Sequence, residues 1–191
     1  MFSTTASYGL IARILHWGMA IAIVAMFALG LWMRQLDYYS PYYQSAPHIH
    51  KSVGIILFVL LLLRVIWRLI DRQPSHDSLS PLRKRLSHIV HWLFYPLLLG
   101  LMIAGYFIST ADGRSISVFG LFDVPAVINK KGVEATAGLI HYYMAFLIIG
   151  IAALHAGAAL YHHFIIKDGV LTSMLGFGRS NDISTDNEIK E

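Results

Sequence analysis

Four stretches of this chain carry no charged residue, and their lengths dictate what it folds into. Twenty uncharged residues separate Arg13 from Arg34, 26 separate Arg85 from Asp112, and 32 separate Glu134 from Lys167. The remaining run is tighter, with 12 residues between Lys51 and Arg64, but such end charges reach the interface on long apolar stems. About 20 apolar residues cross a bilayer core as a helix. The windows therefore place spans near residues 11–34, 47–69, 88–109 and 139–164, with Pro47 suited to a first helical turn. The expected fold is all-α, an integral membrane four-helix bundle. A cleaved leader would have an apolar region of about 7–15 residues, so the first run is read as a span.

Composition enters where alternatives must be closed. Of 191 residues, 56% are apolar and 14% charged, against roughly 25% charged in a soluble domain. Disorder is excluded and a soluble globule disfavoured. Cysteine is absent, which removes disulfides, thiolate ligands and cysteine nucleophiles. The net charge of +4 reflects basic loops rather than a nucleic-acid surface. With the N-terminus inside, Arg13, Arg64, Arg68, Arg72, Arg83, Lys84, Arg85, Lys167, Arg179 and Lys190 are cytoplasmic. Only Arg34, Lys51, Arg114, Lys130 and Lys131 are then outside, so both termini of a multi-pass membrane protein are expected in the cytoplasm. Residues 1–178 form one domain in this reading and 179–191 a polar, disordered tail. The outer loop 110–138, with ISVFGLFDVPAVI, is expected to lie along the surface.

Ten histidines are the unusual feature, and an ionisable side chain inside a membrane is a functional signal. His16 lies about 8 Å into the first span. His141 and His155 are fourteen residues apart on the fourth, about 21 Å along the axis and within about 40° of one face. By depth, His50 pairs with His141 near the outside and His16 with His155 nearer the inside. Two opposed imidazoles from different helices suit a six-coordinate haem. The residue four positions after each lies on the same face, and all four are small: Ala20, Gly54, Ala145 and Ala159. The same test gives the bulky Trp92 after His88 and Tyr95 after His91; His48 is followed by Ser52 and passes it, but His50 sits deeper. A lone histidine in a bundle is more often a hydrogen-bonded core residue, and it is the depth match of four that favours ligation. Zinc transport and carboxylate proton relays are disfavoured, because none of the four spans contains Asp or Glu.

ILHW in the first span, IHKSVGI opening the second, GYFISTADGRSISVFG, LIHYYMA opening the fourth and ALHAGAALYHHFIIKDG closing it resemble the bacterial-type di-haem cytochrome b561 family over residues 8–175. The resemblance implies a four-helix protein of the bacterial inner membrane carrying two b haems, with axial ligands His16, His50, His141 and His155. It also implies electron exchange with ubiquinone, and oxidation of superoxide at the outer face is known in the family. More distant relatives are cytochrome b subunits of hydrogenases and formate dehydrogenases, so an electron-relay subunit for a soluble or membrane partner is the alternative. A haem-free anchor or metal transporter is the reading from a different class.

Propionates need cationic partners: Arg13, Arg64 and Arg68 are the inner candidates, Lys51 and Arg114 the outer ones. His162, seven residues beyond His155 and about 20° off its face, is the quinone candidate, which the family likeness also favours. His88, His91 and His163 are left without a role. Lys51, next to His50, is the residue expected to steer a small anion such as superoxide.

Overall fold

The computed structural model describes residues 2–4, 7–71 and 81–177. Four long helices dominate: α1 (Leu10–Met33), α2 (Ser45–Ile70), α3 (Pro81–Thr110) and α4 (Val133–Tyr161). A five-residue π-helical turn (His162–Ile166) continues α4 and leads to a short α5 (Val170–Leu175). All four long helices are apolar and long enough to cross a membrane. The expected spans 47–69 and 88–109 fall inside α2 and α3, while 11–34 runs one residue past α1 and 139–164 runs past α4 into the π-helical turn; α3 begins at Pro81 and α4 at Val133, so both start before the apolar windows. The tail beginning at Arg179 and the basic residue Arg72 lie outside the described residues.

Side-chain exposure follows from the solvent. Ile21, Leu63 and Leu154 are 68%, 50% and 76% exposed, a surface that water would penalise and hydrocarbon accepts. The buried core is correspondingly small: Met19, Leu57, Leu61, Leu98 and Ile148. The most extensive pairing is α3 with α4, then α1 with α2 and α2 with α3. Pro96 inside α3 removes one backbone donor, which membrane helices tolerate when neighbours satisfy the freed group.

The loop expected to lie flat instead folds back. Residues Ile116–Val118 (β1) and Phe122–Val124 (β2) form an antiparallel hairpin, with Ile116 opposite Val124. Ile116 and Val118 are buried, and the hairpin is fixed to α2 by Ser52, which is fully buried. Its Oγ donates to the Ser117 carbonyl at 3.3 Å and accepts from Phe119 N–H at 3.1 Å. The alternation of apolar residues at 116 and 118 carries the physical reason: a half-buried strand places every second side chain inward.

The other end of the bundle is clasped by residues that precede α1 and follow α4. Ser3 donates its N–H (2.9 Å) and hydroxyl (2.6 Å) to the Asp71 carboxylate, and Phe2 stacks on Trp67 with centroids 5.2 Å apart. Trp17 Nε1 donates to the Met174 carbonyl at 3.3 Å, tying α1 to α5. Burial raises the pKa of Tyr8 in this layer, although nearby Arg68 acts in the opposite sense.

Candidate functional site

A cavity of about 1230 Å³ opens among all four long helices in the half of the bundle nearest the hairpin. That exceeds the roughly 300–1,000 Å³ of an ordinary small-ligand pocket. His50 from α2 and His141 from α4 both line it, together with Gly54 and Ala145. Their rings stand 6.2 Å apart, centroid to centroid.

That spacing has a simple chemical meaning. A metal–imidazole bond is about 2.0–2.1 Å, taking the zinc value. A five-membered ring with sides of about 1.33 Å places each atom about 1.1 Å from its centre. Two imidazoles on opposite sides of one metal therefore have centroids about 6.3 Å apart. The hydrogen bonding agrees: His141 Nδ1 lies 2.9 Å from the Leu101 carbonyl, an acceptor, so Nδ1 carries the proton and Nε2 keeps its lone pair. Metal-bound histidines are held in this way by the second nitrogen. His50 Nδ1 is buried and has no hydrogen-bond partner among the described residues. The outer pair thus fits a flat group ligated on both faces.

The glycines that make room are not all the expected ones. A Cβ on Gly105 of α3 would come within 3.0 Å of His141 Cε1 and 3.1 Å of Nδ1. One on Gly30 of α1 would meet His50 Cε1 at 3.4 Å. A Cβ on Gly54 meets only Met26 Cε, at 4.0 Å. The i+4 test searches a ligand's own helix, so it cannot see small residues supplied by the helix opposite.

The inner histidines are arranged differently. Arg64 Nη2 donates to His16 Nδ1 at 2.7 Å, so neutral His16 carries its own proton on Nε2. His155 packs edge-on to His91 at 5.0 Å and to Phe94 at 5.9 Å. As placed, this cluster does not present two free nitrogens facing each other; Arg64 must leave His16 before that ring can offer Nε2. Ala20 and Ala159 are half-buried on the ligand helices and do not line the large cavity.

The cations also sort themselves. Lys51 lines the outer cavity, and so does Arg34, whose guanidinium lies 4.4 Å over the Tyr142 ring. Arg114 does not line it: its Nε pairs with Asp112 at 2.5 Å in the turn after α3, and hydrogen bonds from the Arg114 backbone and side chain lower the Asp112 pKa. Arg13 is used in the clasp, donating from Nη1 to the Leu175 carbonyl at 3.1 Å. Arg68 lies 5.7 Å from the Trp92 ring and 5.9 Å from that of Tyr95. It lines a small pocket of about 40 Å³ with Arg64, Tyr8 and Asp71. His48 packs against Phe119 of the hairpin at 6.2 Å. His88 accepts from Trp92 Nε1 at 2.9 Å, and His163 lies against Phe164 at 4.8 Å. His162 Nδ1 is paired with the carboxylate of Asp168, a contact the sequence spacing did not suggest.

A membrane bundle with a cavity flanked by facing histidines defines a class, the helical membrane cytochromes b. The chain belongs to the prokaryotic cytochrome b561 family, whose model matches residues 7–177. It is 45% identical over 181 residues to "Cytochrome b561 homolog 2" of Escherichia coli (strain K12), covering 94% of this chain and 96% of that one. It is 31% identical over 163 residues to "Probable superoxide oxidase CybB" of Yersinia pestis, covering 84% and 91%. It is 30% identical over 182 residues to "Cytochrome b561 homolog 1" of Escherichia coli (strain K12), covering 91% and 96%. The chain is accordingly a bacterial membrane protein of electron transfer, in a family that implies haem b.

Proposed function

We propose that this protein carries two b haems and passes electrons between a donor at the outer face and the ubiquinone pool, with both termini in the cytoplasm. The supporting observation is the 6.2 Å spacing of His50 and His141 across the outer cavity. The outer haem is assigned to that pair and the inner one to His16 and His155, the latter resting on depth and family likeness. Bound there, haem supplies reversible one-electron exchange.

The chain's own residues do the rest. The Leu101 carbonyl fixes His141 through Nδ1 and leaves Nε2 as the ligand atom. Lys51 and Arg34 at the cavity offer partners for propionate carboxylates and attract a small anionic donor. Arg68 and Arg64 are the inner cations, Arg64 serving once it releases His16, and His162 is the quinone contact. Superoxide is the donor favoured, because one relative carries the name "Probable superoxide oxidase CybB" and the outer cavity is cationic.

Haem analysis of the purified protein is expected to give two haems per chain, and one or none would overturn the architecture. Replacing His50 or His141 should remove the outer haem alone, and replacing His16 or His155 the inner haem alone. Proteoliposomes should couple superoxide oxidation to quinone reduction. Quinone-linked turnover without reaction with superoxide would leave the electron-relay reading in its place.

A further inference from the structure

The chain ends its fourth span with an unusual backbone device. Residues His162–Ile166 widen from α- into π-helical hydrogen bonding, and Lys167 then adopts a left-handed conformation at φ 58°. Its N–H returns to the His162 carbonyl at 2.7 Å. Had the α-helix continued, residues 162 and 168 would sit about 120° apart around the axis and about 9 Å apart along it, out of contact. The π turn and the left-handed lysine bring them together. The Asp168 carboxylate then pairs with His162 Nδ1 through Oδ2 and accepts from Val170 N–H through Oδ1 at 3.2 Å. The Asp168 side chain is only 4% exposed. Short π segments recur at functional sites, and here the widened turn has one visible consequence, the His–Asp pair.

We propose that Asp168 is a positioning residue for quinone chemistry: it holds His162 through Nδ1 so that Nε2 exchanges protons with a quinone oxygen. This rests on the reading of His162 as the quinone contact. A carboxylate on Nδ1 orients the ring and fixes its tautomer, the general logic of a base held by a third group. Reduction of a quinone to a quinol consumes two electrons and two protons. Haem, when bound, would supply the electrons one at a time. Each proton passes from His162 Nε2 to a quinone oxygen, the O–H bond forming as the N–H bond breaks, and water on the cytoplasmic side reprotonates the ring. In the opposite direction the Nε2 lone pair accepts the proton of a quinol hydroxyl. His163 and Lys167 share the turn, and Arg13 reaches α5 through the Leu175 carbonyl; neither lysine nor arginine can replace the carboxylate as an acceptor for Nδ1–H.

The test uses the haem-loaded protein in proteoliposomes with a short-chain ubiquinone. Asp168→Asn keeps an oxygen acceptor for Val170 but removes the charge. It should lower kcat by about 10²-fold, the low end of general acid–base contributions, with KM and haem content nearly unchanged. Wild-type kcat in Asp168→Asn, alongside slow turnover in His162→Gln, overturns the role of Asp168 and spares His162 as the quinone contact. Wild-type turnover in His162→Gln sinks that contact and the present proposal with it. If Asp168→Asn does not accumulate with haem, the wild-type protein decides: the ¹⁵N resonance of His162, assigned by its loss in His162→Gln, should show a protonated Nδ1, and an unprotonated Nδ1 overturns the proposal.

Discussion

Gly105 faces His141, the proposed outer ligand, from the opposite helix, and its replacement gives the sharpest test of the site. In Gly105→Ala the new Cβ would lie 3.0 Å from His141 Cε1 and 3.1 Å from Nδ1, against about 3.5 Å for a relaxed contact. The Cβ is rigidly attached to α3, so the ring must yield by about 0.5 Å. His141 Nδ1 is 2.9 Å from the Leu101 carbonyl, and a shift of that size carries it beyond the roughly 3.2 Å limit of a good bond. Loss of one such bond costs about 1 kcal/mol, and removing a group that orients a metal ligand typically costs 10–100-fold in affinity. Titration of the apoprotein with haemin should therefore show outer-site binding weakened by about 10-fold or more. Alanine favours a helix over glycine by about 0.8–1.0 kcal/mol, so the protein itself should not become less stable. Gly150→Ala is the control, since among the described residues a Cβ there meets nothing within 4 Å and Gly150 does not line the cavity, and it should bind haem normally. Undiminished haem binding in Gly105→Ala, or equal damage from Gly150→Ala, would refute the reasoning.

Two further outcomes are expected. Haem reduction by superoxide should slow with rising salt over the range in which the Debye length falls to about 10 Å at 0.1 M, and Arg34→Gln and Lys51→Gln should each lower the low-salt rate; stopped-flow rates that ignore both salt and substitution would remove the steering. Tyr8 has a folded pKa raised above the usual value near 10 by burial. Its contribution to stability is thus full below pH 10 and lost as pH climbs through the folded value. Melting curves of wild type and Tyr8→Phe should diverge only in that alkaline window, with wild type losing stability faster.

Charge-free runs made the four helices legible, because a membrane forces that pattern on any spanning segment. The pairing of His50 with His141 was legible in depth alone, since helix rise fixes depth. Rotation between helices was not, so nothing in the sequence marks Gly30 and Gly105, which approach His50 and His141 from neighbouring helices. The hairpin escaped because Ile116 and Val118 alternate over only three residues. Arg114 was assigned by its position in the outer loop, where Asp112 two residues away offers a nearer partner. The His162–Asp168 contact was hidden because helical periodicity places those residues apart, and nothing in HHFIIKDG announces a π turn.

The two histidine groups differ in what touches the second ring nitrogen, and that difference bears on direction. At the outer pair, His141 Nδ1 donates to a neutral carbonyl, which would strengthen it as a ligand to the haem proposed there and favour the oxidised metal. At the inner group a guanidinium touches His16, and the nearby Asp71 carboxylate is already engaged by Ser3. A cation held close to a redox centre favours an arriving electron, and even when Arg64 turns from His16 to a propionate it stays in that neighbourhood. Electrons should therefore run downhill from the outer haem to the inner one. At an effective dielectric of about 20, a unit charge several ångströms away is worth on the order of 1–4 kcal/mol, and about 1.4 kcal/mol corresponds to about 59 mV for a one-electron couple. Arg64→Gln should lower the inner potential by about 60 mV or more and leave the outer one nearly unchanged. Redox titration in membranes of the two haems proposed above separates the outcomes. Equal shifts at both haems, or an inner haem already lower than the outer in wild type, would show that Arg64 does not set the direction.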